Sequence, residues 1–262
     1  MERTKIGLES DRKDFFYYLL NARDPETGKG FSPPELWGES NLLIIAGSDT
    51  TSTALASAFF YLVHNPEKLE ILKKEVRAAF TDVEEIHTSP QLNTCHYLRA
   101  VIDEAMRLSP PVGGLLPREV LAGGLTIDGT HFPAGTVVGT PHYSIHHNED
   151  YYPSPFAFTP ERWIADAGFG TKESVSLAQS AFCPFSIGAR GCIGKGLAYS
   201  ELSTALARVV WLYDFKLAEG KRVGDGVSGG ERGRERKGEY QLKDSFTSMK
   251  DGPLVVFRQR TD

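Results

Sequence analysis

The sequence predicts a mainly α-helical fold with a small β-rich part. Three observations carry that reading. An unbroken helical span of about 32 residues runs from a capping box at Ser32 to a stop at Asn65-Pro66. Three later segments repeat apolar residues at helical spacing. Short β-branched runs, punctuated by glycine and proline, gather between Gly114 and Tyr143.

In chain order, Asp14–Asn21 is a polar helix bearing Phe15, Phe16, Tyr18 and Leu19, followed by the loop Asp24–Gly30. Ser32-Pro33-Pro34-Glu35 then forms a capping box with proline at the first helical position. The helix it opens would be roughly 48 Å long, enough to cross a domain, so its middle is expected to be buried. Leu42–Val63 within it has the length of a membrane span. Asp49, however, would cost about 2.5–3.5 kcal/mol near mid-membrane, and hydroxyl side chains crowd around it. A buried core helix is the expectation.

Pro66–Phe80 reads as a charged amphipathic helix, and Thr94–Leu108 puts Leu98, Val101, Ile102, Ala105 and Leu108 on one face before Pro110-Pro111 ends it. Strands are expected at Thr126-Ile127, before an Asp128-Gly129 turn, and at Thr136–Thr140 after Pro133-Ala134-Gly135. His146–Phe158 reads as a loop, and a last long helix runs from beyond Cys192 to about Tyr213. The stretch Lys221–Lys237 is glycine- and charge-rich, too polar to bury, and is expected to be a flexible loop. Glu239–Leu242 and Pro253–Phe257 read as a closing strand pair.

The 262 residues, 40% hydrophobic and 24% charged, suffice for one large domain or two small ones. A net charge of −5 gives no reason to expect a nucleic-acid partner. Cys95, Cys183 and Cys192 are too few and too scattered for a disulfide framework, which fits a reducing compartment. No apolar run follows Met1–Gly7, so neither a signal peptide nor an anchor is expected there.

The chemistry concentrates in Phe185-Ser186-Ile187-Gly188-Ala189-Arg190-Gly191-Cys192-Ile193-Gly194. Glycines around one cysteine let a flat, bulky partner approach the backbone. Arg190 and the amide end of the following helix both favour thiolate over thiol. Such a setting suits a metal-bound sulfur. A second anomaly is Ala46-Gly47-Ser48-Asp49-Thr50-Thr51, where an acid and two alcohols interrupt the most apolar part of a helix. Glu104 and Arg107, three apart on one helix face, can pair, although such a pair is ordinarily a surface feature worth little. Pro160-Glu161-Arg162-Trp163 supplies another arginine.

The pattern Phe-x-x-Gly-x-Arg-x-Cys-x-Gly resembles the haem-ligand loop of the cytochrome P-450 family, and the other motifs precede it in that family's order. The resemblance implies the C-terminal part of the cytochrome P-450 fold, incomplete at the N-terminus: residues 1–31 a remnant helix and loop, 32–262 the C-terminal portion of the haem domain. It implies haem b as cofactor, with Cys192 as axial ligand of the iron, a thiolate whose electron donation favours O–O cleavage. Phe185 would pack beside the sulfur, Gly188 and Gly194 would allow close approach, and Arg190 would pair with a propionate. Asp49 and Thr50 would be the acid–alcohol pair that delivers protons, with Gly47 opening a groove for dioxygen. Glu104, Arg107 and Arg162 would join in a buried cluster on the proximal side, architectural in role. Arg118 is either a second propionate partner or a plain surface arginine. Lys195 either helps present a basic face to a redox partner or is simply solvated. His146-His147 reads as a solvated pair, and Cys183 as packed.

The implied activity is monooxygenation of a small hydrophobic organic substrate by O2, with electrons from NADPH through a cytochrome P-450 reductase. The style of PERW and EYQLKD looks most like microsomal enzymes of filamentous fungi that tailor secondary metabolites. Such members are anchored in the endoplasmic reticulum; without an anchor this chain would be cytoplasmic or peripheral. Full-length members carry a longer N-terminal part with most substrate-recognition elements. Two alternatives follow: a truncated member that does not retain haem, and an isomerase or dehydratase of the same family. The intact Asp49-Thr50 pair opposes the latter.

Overall fold

The computed structural model describes residues 13–165, 168 and 170–260. The chain divides into two compact units, Met1–Ser48 and Asp49–Asp262, with the boundary inside one helix. Helix α1 (Phe15–Asn21) starts where the Asp14 carboxylate accepts from the Tyr17 amide. Helix α2 (Pro33–His64) has the expected bounds, and Glu35 accepts from both the amide and the hydroxyl of Ser32 at 2.7 Å.

The expectation of a buried middle fails. Leu42, Leu43, Ile44 and Ile45 are exposed, and the buried residues of α2 begin only at Thr53. Apolar composition reports a face that wants cover and does not say which stretch receives it. By length and composition alone, α2 is also the one helix among the described residues able to cross a membrane. Its last turns are core helix, with Phe60, Tyr61 and Leu62 essentially without solvent contact.

The larger unit is built on that end of α2, on α3 (Pro66–Ala79), on a short α4 (Pro90–Asn93) and on α5 (His96–Leu108). It also contains α6 (His142–His146), α7 (Lys172–Ala181) and α8 (Lys195–Leu212). One cluster unites Phe60, Tyr61 and Leu62 of α2 with Leu72 and Val76 of α3, Leu98, Val101 and Met106 of α5, and Leu202, Leu206 and Val210 of α8. Each such side chain, fully removed from water, contributes about 1.5–3 kcal/mol. Helix α5 lacks a capping side chain of its own. Instead the Glu75 carboxylate of α3 accepts from the amides of Tyr97 and Leu98, both at 2.8 Å, satisfying the open helix end.

Among the described residues, three two-stranded antiparallel sheets complete the unit. Strand β2 (Leu125–Ile127) pairs with β3 (Thr130–Phe132) across Asp128-Gly129, both at positive φ as a two-residue hairpin turn requires. Strand β1 (Arg118–Glu119) pairs with β4 (Val137–Val138). The closing pair differs from expectation: β5 (Tyr213–Leu217) pairs with β6 (Val255–Gln259), while Tyr240 makes only an isolated bridge to Asp225. The partner of β6 is therefore the chain leaving α8. Phe215 of β5, together with Phe257, packs on Phe59 of α2.

The polar stretch after residue 220 contains no helix, yet it is not wholly excluded from the interior. Asp225 is buried, accepting from Arg222 Nε at 2.6 Å and from the Gly238 amide at 2.6 Å, and a Cβ on Gly226 would collide with the Arg236 carbonyl. Helices α6 and α7 were not expected. The signal for α7 is faint, the small or β-branched buried residues Val175, Ala178 and Ala181 three apart.

Candidate functional site

The cysteine loop turns on its own backbone. The Cys192 amide donates to the Phe185 carbonyl at 2.8 Å, the Gly191 amide to Gly188 at 2.9 Å, and Gly188–Arg190 forms a single 3-10 turn. Gly188 has φ +72°, and a Cβ there would meet nothing within 4 Å. Helix α8 then begins, its Lys195 amide directed at the Cys192 carbonyl at 3.4 Å. Cys192 is a free, exposed thiol. Beside it Ile187 is 79% and Ile193 98% exposed.

Large apolar side chains standing in water on both sides of a thiol call for a broad apolar partner. Near Gly194 a Cβ would meet only the Cys192 sulfur, at 3.8 Å. The donor chemistry, the bare backbone and the uncovered isoleucines fit a haem lying against this loop. Arg190 is exposed on the same turn. The Phe185 ring packs on Tyr199 of α8, with centroids 5.0 Å apart, and its carbonyl receives the cysteine amide.

Glu104, Arg107 and Arg162 come together with almost no solvent contact. Glu104 Oε2 accepts from Arg107 Nε at 2.9 Å, and Oε1 from Arg162 Nε at 3.0 Å. The Thr159 amide and Trp163 Nε1, each at 3.0 Å, complete the carboxylate's shell. Burial alone would push the Glu104 carboxyl up, but Arg107 and Arg162, with these hydrogen bonds, hold it below the usual carboxylate range. Arg107 also donates to the carbonyls of His146, Pro155 and Ala157. One guanidinium thereby anchors a long irregular segment. Sequence reasoning missed these carbonyls and the Trp163 indole, since backbone acceptors leave no trace in residue identity.

Asp49 and Thr50 lie in α2 at the start of the larger unit, Asp49 exposed and Thr50 half-buried. Thr53 Oγ1 bonds back to the Asp49 carbonyl at 2.8 Å and lies 3.3 Å from the Ser248 carbonyl. Lys250 Nζ donates to Ser52 Oγ at 2.9 Å. The segment around Ser248 is thus fastened to the same helix turn, a pairing without any local signal. Arg118 is exposed on β1, its guanidinium on the neighbouring Pro117 carbonyl at 2.9 Å.

The expected solvated histidine pair is corrected. His146 is fully buried, stacked near Phe182, and its Nε2 accepts the Cys183 amide at 3.1 Å; burial pushes it down to about 3. His147 is half-buried against Tyr143 and lowered to about 4, again chiefly by burial. Both are held by the segment that Arg107 gathers. Among the described residues no group of three metal-ligating side chains forms.

Comparisons with known proteins bear on the family of the chain. The family model for cytochrome P-450 matches residues 1–230. The cytochrome P-450 monooxygenase AKT7 of Alternaria alternata is 46% identical over 262 residues, covering 98% of this chain and 50% of its own length. The cytochrome P-450 monooxygenase apf7 of Gibberella fujikuroi is 50% identical over 252 residues, covering 94% of this chain and 46% of its own. The chain thus spans about half the length of these curated relatives. Among solved structures, the retinoic acid-bound cyanobacterial CYP120A1 superposes with a TM-score of 0.76 at 27% identity, over 99% of this chain and 55% of that one. With a family model matching residues 1–230 and a solved structure of the same fold, the chain belongs to the cytochrome P-450 family.

Proposed function

We propose that the protein is a haem-thiolate monooxygenase acting on a small hydrophobic organic substrate in fungal-type secondary metabolism. The observation that carries this reading is the exposed Cys192 thiol flanked by uncovered Ile187 and Ile193 on a glycine-bared loop. Bound haem supplies the activation of dioxygen. Cys192 would hold the iron as thiolate, and Gly188 and Gly194 would let the flat ring lie close to the backbone. Arg190 would offer its guanidinium to a propionate, and Arg118, exposed on β1, a second one. Asp49 and Thr50 would hold and pass protons. The Glu104–Arg107–Arg162 cluster would keep α5 and the segment from His146 to Ala157 in place.

Electrons would come from NADPH through a cytochrome P-450 reductase. Proton delivery by an acid–alcohol pair serves oxygenation, so Asp49 and Thr50 support this reading over an isomerase or dehydratase. The test is expression with haem supply, followed by the reduced carbon-monoxide spectrum. A thiolate-type band that Cys192→Ser abolishes is the expected result. No haem uptake, or a band indifferent to Cys192→Ser, would overturn the reading for this chain.

A further inference from the structure

We propose that Asp103, Tyr199 and Arg99 form a positioning network that sets the geometry of the Cys192 loop from behind. The argument starts at Asp103, which neighbours Glu104 on α5 yet takes no part in the Glu104 cluster. Its side chain is almost buried, with one oxygen accepting from the Tyr199 hydroxyl at 2.8 Å and the other from Arg99 Nε at 2.9 Å. Arg99 also lies over the Tyr199 ring, 3.5 Å from its centroid, so ring and hydroxyl are both fixed. Tyr199 in turn packs on the Phe185 ring. Phe185 supplies the carbonyl that receives the Cys192 amide at 2.8 Å.

A continuous chain of contacts therefore joins α5 to the sulfur-bearing residue. It runs from carboxylate to phenol, from phenol to phenyl ring, and from that residue's carbonyl to the cysteine amide. None of its three polar members touches the sulfur, and each acts through Phe185. An otherwise exposed loop has few contacts of its own, so its geometry depends on what lies behind it. The cost of leaving Asp103 buried and half-paired explains why the network would hold rigidly. Asp103 is pushed up by burial and drawn back by Arg99 and Tyr199, in keeping with a carboxylate that needs both partners.

The proposal rests on the haem-thiolate reading for its purpose but not for its geometry, so two measurements separate them. In the haem-free full chain, Tyr199→Phe should speed hydrogen exchange of the Cys192 amide about tenfold, leaving the Ser109 amide at the end of α5 unchanged. Asp103→Asn, which retains an acceptor and nearly the same shape, should give the same direction with a smaller effect. In the haem-loaded protein, both variants should bind haem and lose the thiolate-type carbon-monoxide band severalfold faster than the parent. Unchanged exchange at Cys192 in both variants overturns the network. Faster exchange together with a haem band indifferent to Cys192→Ser overturns the haem reading and leaves the network standing. A fall in thermal midpoint with exchange at Cys192 and band lifetime both unchanged would mark a merely structural role and also overturn it.

Discussion

At the scale of single residues, the buried carboxylate of Glu104 binds two buried arginines. It accepts five hydrogen bonds among the described residues, two from Arg107, one from Arg162 and one each from the Thr159 amide and the Trp163 indole. Glu104→Gln keeps the shape but removes the carboxylate charge that fully buried Arg107 meets in two hydrogen bonds. The expected loss is about 3–5 kcal/mol in urea unfolding. A loss under about 1 kcal/mol would show that the cluster is not held by charge. His146 makes a different prediction. Its folded value of about 3 lies below the ordinary histidine value, so between the two the unfolded chain binds a proton that the native chain refuses. Its contribution is present above pH of about 6.5 and is lost as pH falls toward the folded value, with a slope of up to about 1.4 kcal/mol per pH unit. His147, lowered to about 4, adds to the same trend. His146→Gln should therefore give a less stable protein at pH 7 whose stability changes less between pH 6 and 4. An unaltered slope in urea titrations across that range would refute the assignment.

At the scale of elements, the polar stretch after Ala218 shows how a segment without helix or strand can still be fixed. Asp225 is its buried pin, bonded to Arg222 and the Gly238 amide, and His64 of α2 approaches it at 3.9 Å. Farther on, Arg236 lies over the Phe156 ring at 3.4 Å and reaches Glu239 at 3.3 Å. Asp225→Ala should release the stretch, raising the rate of tryptic cleavage at Arg232 and Arg234 about tenfold. Cleavage at the parent rate would mean that Arg236 alone suffices. Elements were legible where their signal is local. The Ser32–Glu35 box, the Asn65-Pro66 stop and the Asp128-Gly129 turn each encode geometry in the residues that adopt it. The pairing of β5 with β6 was not legible, because its register joins Tyr213 to Gln259 across a long excursion. Nor could the apolar runs of α2 reveal that Leu42–Ile45 stay exposed while its later turns are covered.

At the scale of the molecule, the candidate site was legible as a set of residue types and illegible as a set of supports. Cys192 and its glycines, Asp49 with Thr50, and Glu104 with Arg107 all stood out by residue type against their surroundings. The partners that hold them are backbone carbonyls, a distant tyrosine and a tryptophan, which carry no pattern of their own. Arg107 makes the point most sharply. A guanidinium has five N–H groups, and here two go to Glu104 and three to the carbonyls of His146, Pro155 and Ala157. Every amino acid owns a carbonyl, so this anchorage is blind to which side chains occupy 155 and 157. It is strict about how many residues lie between them. Over evolutionary time such a segment can drift in composition while its length stays pinned by one side chain on another helix.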